Sequence, residues 1–86
     1  MRWQGVESSN LRRVLYFRKT KLLVIEFKGQ RIYLYGEVPY RVYLALMKAP
    51  SKGEFHNRNI RYRYPYQLVK PRDAKQLGLL QKKGVS

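Results

Sequence analysis

Apolar and polar positions fall into short blocks along the first 36 residues. Arg13 to Arg18 and Leu22 to Lys28 concentrate β-branched and large apolar side chains, and the polar link Lys19 to Lys21 between them has hairpin length. After Gly29 and Gln30, Arg31 to Tyr35 alternates and stops at Gly36. This pattern predicts a three-stranded antiparallel meander. The period then changes. Pro39 suits the first turn of a helix, and Val42, Tyr43, Leu46 and Met47 recur at helical spacing until Pro50 ends the run. Ser51 with Glu54 is a capping-box signature, predicting a second short helix over Lys52 to Arg61. Tyr62, Arg63, Tyr64 and Tyr66 alternate as an extended stretch would, and Pro65 ends regular structure. The fold class is therefore α+β: a three-stranded antiparallel meander against two short helices, with room for a final short strand and a C-terminal tail helix. Residues 1–69 form one domain, and residues 70–86 form a basic tail.

The predicted strands are apolar on both faces. Leu23, Ile25 and Phe27 alternate with Leu22 and Val24, and Tyr33 and Tyr35 with Ile32 and Leu34. A half-solvated antiparallel sheet normally keeps one face polar, and the first helix covers only one. The second face needs cover, from Leu77, Leu79 and Leu80 of the tail or from a partner chain, including a second copy in a homodimer.

Charge changes the picture most. Nineteen Lys and Arg against five Asp and Glu give a formal net charge of +14 on 86 residues. Self-repulsion of that size is tolerated when the partner is a polyanion, which points to nucleic acid, RNA or DNA. A membrane is disfavoured, because no apolar run approaches the ~18–20 residues of a spanning helix. Cysteine is absent and histidine occurs once, so disulfides, thiolate metal sites and most histidine metal sites are excluded. No cofactor is implied, and the absence of cysteine fits a reducing, cytoplasmic setting.

The stretch from Pro50 to Tyr66 interleaves Lys52, Arg58, Arg61 and Arg63 with Phe55, Tyr62, Tyr64 and Tyr66. Cations hold phosphates and aromatic faces accept unpaired bases, so this composition suits single strands. Arg58 and Arg61 lie three apart on the predicted helix and can address one backbone together, although Glu54 competes for Arg58 at i,i+4 spacing. Tyr62 is the expected exposed stacker, assisted by His56, while Tyr64 and Tyr66 read as structural. Asn57 reads equally as a base contact or as a backbone brace. Lys70 extends the basic surface, as do Tyr40, Arg41 and Lys48 on the outer side of the first helix. Ser51 reads as a helix cap rather than a phosphate ligand, because Glu54 completes the capping box.

Several of these positions together resemble the KTSC domain: Ser8 to Asn10, Val14 to Tyr16, Leu23 to Phe27 with Gly29, Tyr33, Tyr35 and Gly36 into Val38 and Pro39, Ser51 to Gly53, Asn57, Ile60, Arg61, and Tyr64 to Tyr66. That small module occurs at the C-terminus of some lysyl-tRNA synthetases and as stand-alone bacterial and phage proteins. The resemblance covers residues 7–69 and implies a compact α+β module that binds RNA. The sequence departs from the family pattern at His56, where an aromatic residue is usual before the asparagine, and at Asn59, where a basic residue or histidine is frequent.

An enzyme is not expected. His56 is five residues from Ser51 on a helix and points elsewhere, and Glu7, Glu26, Glu37, Glu54 and Asp73 are scattered. The alternative to a nucleic-acid module is a regulatory protein-interaction module of phage or bacterial type that docks an acidic face of the transcription, translation or nuclease machinery.

Overall fold

The computed structural model describes residues 3–6 and 10–70, in which five strands and two helices occur. The strands are β1 (Gln4–Gly5), β2 (Leu11–Phe17), β3 (Leu22–Phe27), β4 (Arg31–Tyr35) and β5 (Tyr66–Val69), and the helices are α1 (Tyr40–Lys48) and α2 (Lys52–Asn59). All five strands join one antiparallel sheet in sequence order. The predicted meander forms its centre, so the three-stranded expectation is corrected to five. β5 answers to the final short strand, whereas β1 carries no apolar pattern and exists through its pairing with Val14 and Arg13.

Turn chemistry sets the register. The β3–β4 hairpin closes Phe27 on Arg31 through Lys28, Gly29 and Gln30, and Gly29 at φ 90 supplies the left-handed backbone there. In β2 the register shifts between Leu11 and Arg13, a bulge at Arg12. One extra residue reverses the alternation, and so Leu11 and Val14, three apart, bury on the same face.

That face carries the main core: Leu11, Val14, Tyr16, Leu23, Ile25 and Tyr35 of the sheet meet Val38, Leu46 of α1 and Ile60 at the end of α2. Pro39 precedes α1 without a side-chain cap, whereas Ser51 Oγ accepts from the Glu54 backbone N–H at 3.3 Å and caps α2. α2 ends at Asn59. The Ile60 and Arg61 backbone N–H groups both donate to the His56 carbonyl, at 3.0 and 2.9 Å, and the chain turns there. The expected extended alternation from Tyr62 is thereby corrected: residues 61–63 are a turn, and the strand begins at Tyr66, directly after Pro65.

The opposite face is apolar as the pattern required, with Leu15, Val24, Ile32 and Val69 buried and Trp3, Phe17, Leu22 and Leu34 packed beside them. Within it Glu26 forms an ion pair with Arg13, whose guanidinium lies 4.4 Å from the Trp3 ring. The tail leucines expected to cover this face lie outside the described residues.

Candidate functional site

α2 has few apolar side chains to offer the sheet. It anchors through Phe55, His56 and Ile60, and this leaves the β4–β5 end of the helix-side face partly open. Tyr66 is 61% exposed and Leu68 50% exposed. Between α2 and this end of the sheet lies a cleft of about 550 Å³, within the range of about 300–1,000 Å³ usual for ligand sites.

Aromatic rings form the sheet side. Phe27 meets Tyr33 edge to face at 5.5 Å, Tyr33 and Tyr35 stack at 6.2 Å, and Tyr66 lies 5.6 and 6.0 Å from them. Register places Tyr35 beside Tyr66 across the β4–β5 pair. The helix side is polar, built from Gly53, Glu54 and Asn57. Cations come from both neighbouring turns: Lys28 and Arg31 from the β3–β4 hairpin, Arg61 from the turn after α2. Asn57 Oδ1 accepts from Arg61 at 3.1 Å, and the Arg61 guanidinium lies 5.0 Å from the Tyr62 ring.

Of the residues singled out in the sequence, His56, Asn57, Arg61 and Tyr62 line the cleft. Tyr62 is exposed as expected, at 80%. His56 is not, which corrects its expected role. Its ring sits edge-on to Phe27 at 4.9 Å and to Tyr35 at 5.4 Å, and Nε2 shares a 2.6 Å hydrogen bond with the Tyr35 hydroxyl. Burial, with the Arg61 charge second, lowers the His56 pKa to about 4, and burial chiefly raises that of Tyr35 to about 12. Both are neutral at physiological pH and brace the cleft from beneath. His56 thus serves by packing.

Lys52 is also corrected: its Nζ donates to the Ala49 carbonyl at 3.0 Å, so it caps the end of α1 instead of facing a ligand. Arg58 pairs with Glu54 at 3.4 Å and borders a separate shallow depression with Ser51 and Phe55. Arg41, Arg63 and Lys70 are exposed but line no part of the cleft. Tyr40 is half-buried, stacked in a Tyr16–Tyr40–Tyr43 group under the Arg18 guanidinium, and is not part of a free outer surface. Tyr64 packs on the core as expected, whereas Tyr66 is open. Ser51 and His56 are each engaged elsewhere, and among the described residues no group of three or more His, Asp or Glu could hold a metal ion.

Asn10, Phe27, Lys28, Arg31, Tyr33 and Tyr35 also line the cleft, and no sequence signal marks them as site residues. The strand tyrosines alternate as core residues do. Tyr35 is buried and only borders the cleft, whereas Tyr33 stays half-buried where α2 ends.

These features define a small basic α+β domain whose helix-side sheet face opens into an aromatic cleft with cations at its rim. The KTSC domain family profile matches residues 7–64, and the chain belongs to that family. It is similar to a lysine–tRNA ligase of Nostoc punctiforme, 36% identical over 63 residues that make up 73% of this chain and 11% of the ligase. A protein of Tsukamurella paurometabola is 38% identical over 61 residues, 71% of this chain and 91% of its own length. The crystal structure of a KTSC domain protein from Yersinia pestis superposes with a TM-score of 0.77 at 30% identity, covering 80% of this chain and 97% of that one. Several of the positions that carry the resemblance noted in the sequence converge here. Asn10, Tyr33, Tyr35, Gly53, Asn57, Arg61 and Tyr66 line the cleft, while the Gly36 N–H donates to the Pro65 carbonyl at 2.9 Å, docking the Tyr64–Tyr66 segment on the end of β4.

Proposed function

We propose that this protein binds single-stranded nucleic acid, RNA in preference to DNA, by seating a base in the cleft and holding the flanking phosphates with Lys28, Arg31 and Arg61. The observation that carries the reading is the cleft itself, in which an aromatic floor lies within reach of cations from two turns. Unpaired bases stack on such floors, and duplex bases cannot reach them. The net charge of +14 supplies long-range attraction to any polyanion. Preference for RNA is supported by the lysine–tRNA ligase that carries a matching segment. Arg58, Arg63, Lys70 and Arg41 lie off the cleft and add sequence-independent attraction. The protein acts by binding and carries out no chemistry of its own.

Fluorescence anisotropy against single-stranded RNA, duplex RNA and duplex DNA over a salt series tests this. Preferential single-strand binding that persists at ~150 mM salt is expected, with a log-linear salt dependence. Equal, weak binding to all three that vanishes by that salt would overturn it and direct the search to an acidic protein partner.

A further inference from the structure

We infer, on the basis of the nucleic-acid reading above, that the cleft selects guanine and that Glu54 is the residue that reads it. Glu54 is the only carboxylate among the cleft-lining residues, set in a rim otherwise cationic. Its place in the first turn of α2 suits the helix, and a carboxylate there opposes phosphate but accepts from any ligand group that donates hydrogen bonds. The walls of the cleft differ in chemistry: the sheet side offers aromatic rings, the α2 side offers Glu54 and Asn57. A base stacked on Tyr66, the most exposed ring of the sheet side, presents its edge to α2.

The groups on that edge match one base. Guanine carries two adjacent donors, N1–H and the N2 amine, beside the O6 acceptor. Adenine and cytosine pair a single amine with an acceptor nitrogen, and uracil sets one N–H between two carbonyls. The two oxygens of Glu54 accept from N1–H and N2. Asn57 Oδ1 already accepts from Arg61 at 3.1 Å, which leaves the amide nitrogen of Asn57 to donate to O6. The Glu54 side chain is 62% exposed, and its partner Arg58 is 73% exposed at 3.4 Å, so the pair is weak and the carboxylate is free to turn to a ligand.

The test is anisotropy at ~150 mM salt with a short RNA, uridine throughout except for one central guanine, inosine, adenine or cytosine. The guanine strand is expected to bind about tenfold or more tighter than the adenine, cytosine and all-uridine strands, as for one bidentate base contact. Inosine, which lacks the N2 amine, is expected to fall between. Glu54→Gln should erase the guanine advantage without flattening the salt dependence, with an unchanged circular dichroism spectrum showing that the exposed substitution keeps the fold. Equal affinity for all strands, with Tyr66→Ala weakening each, would leave the binding cleft standing and overturn guanine selection. A guanine preference unchanged in Glu54→Gln would remove Glu54 from the role. Binding by none of the strands at this salt would overturn both readings.

Discussion

His56 and Tyr35 couple the core to the cleft through one hydrogen bond. The folded state holds His56 neutral, with a pKa of about 4 against 6.5 for the free side chain. The unfolded chain therefore binds the extra proton between these values. Stability is complete above pH 6.5 and falls as pH drops toward 4, by on the order of 3 kcal/mol at about 1.4 kcal/mol per unit. Urea denaturation across this window should show the loss in the native protein and a smaller loss in His56→Phe, whatever that variant's absolute stability. Tyr35, raised to about 12, adds stability that is lost as pH rises from 10 toward 12. On the surface, Tyr62 and Tyr66 are exposed aromatic rings, the stackers of the proposed binding mode. Replacing either by Ala should cost about 1–3 kcal/mol in single-strand affinity and little on duplex, measured by anisotropy at fixed salt.

At the scale of elements, α2 decides the site, because its short apolar face covers only part of the sheet. Ser51→Ala should lower stability by about 1 kcal/mol through loss of the cap, read by denaturant titration, and should loosen the polar wall of the cleft with it. Gly29→Ala should cost about 1 kcal/mol or more, since φ 90 is strained for any residue with a Cβ. The central strands and both helices were legible in the sequence because each is set by a local signal: apolar alternation, a proline stop, a Ser51–Glu54 cap. β1 was not, since two residues without a pattern become a strand only by pairing with β2. The Tyr62–Tyr66 alternation misled because backbone bonds to the His56 carbonyl close a turn there. Among site residues, Arg61, Asn57 and Tyr62 could be found from a cation–aromatic run. Phe27, Tyr33 and Tyr35 could not, because a strand aromatic reads as core until the helix over it is known to be short.

At the scale of the molecule, the sheet separates two roles. One face holds Leu15, Val24, Ile32 and Val69 with the Arg13–Glu26 ion pair; the other carries both helices and the cleft. Charge is spread over all of it, so the number of phosphates engaged is what distinguishes a site from general attraction. Replacing Lys28, Arg31 and Arg61 together by Ala should lower the magnitude of the log–log salt slope by about two, at ~0.7 per phosphate on single strands. Replacing Arg41 alone should change it by less than one.

The most direct test of the cleft as the binding site is to follow backbone amide chemical shifts in a titration with short single-stranded RNA. The account predicts the largest shifts at Lys28, Arg31, Glu54, Asn57, Arg61 and Tyr66, with β2 and the outer side of α1 unmoved. Shifts centred on Arg41 and Lys48, or spread evenly over every exposed cation, would contradict it.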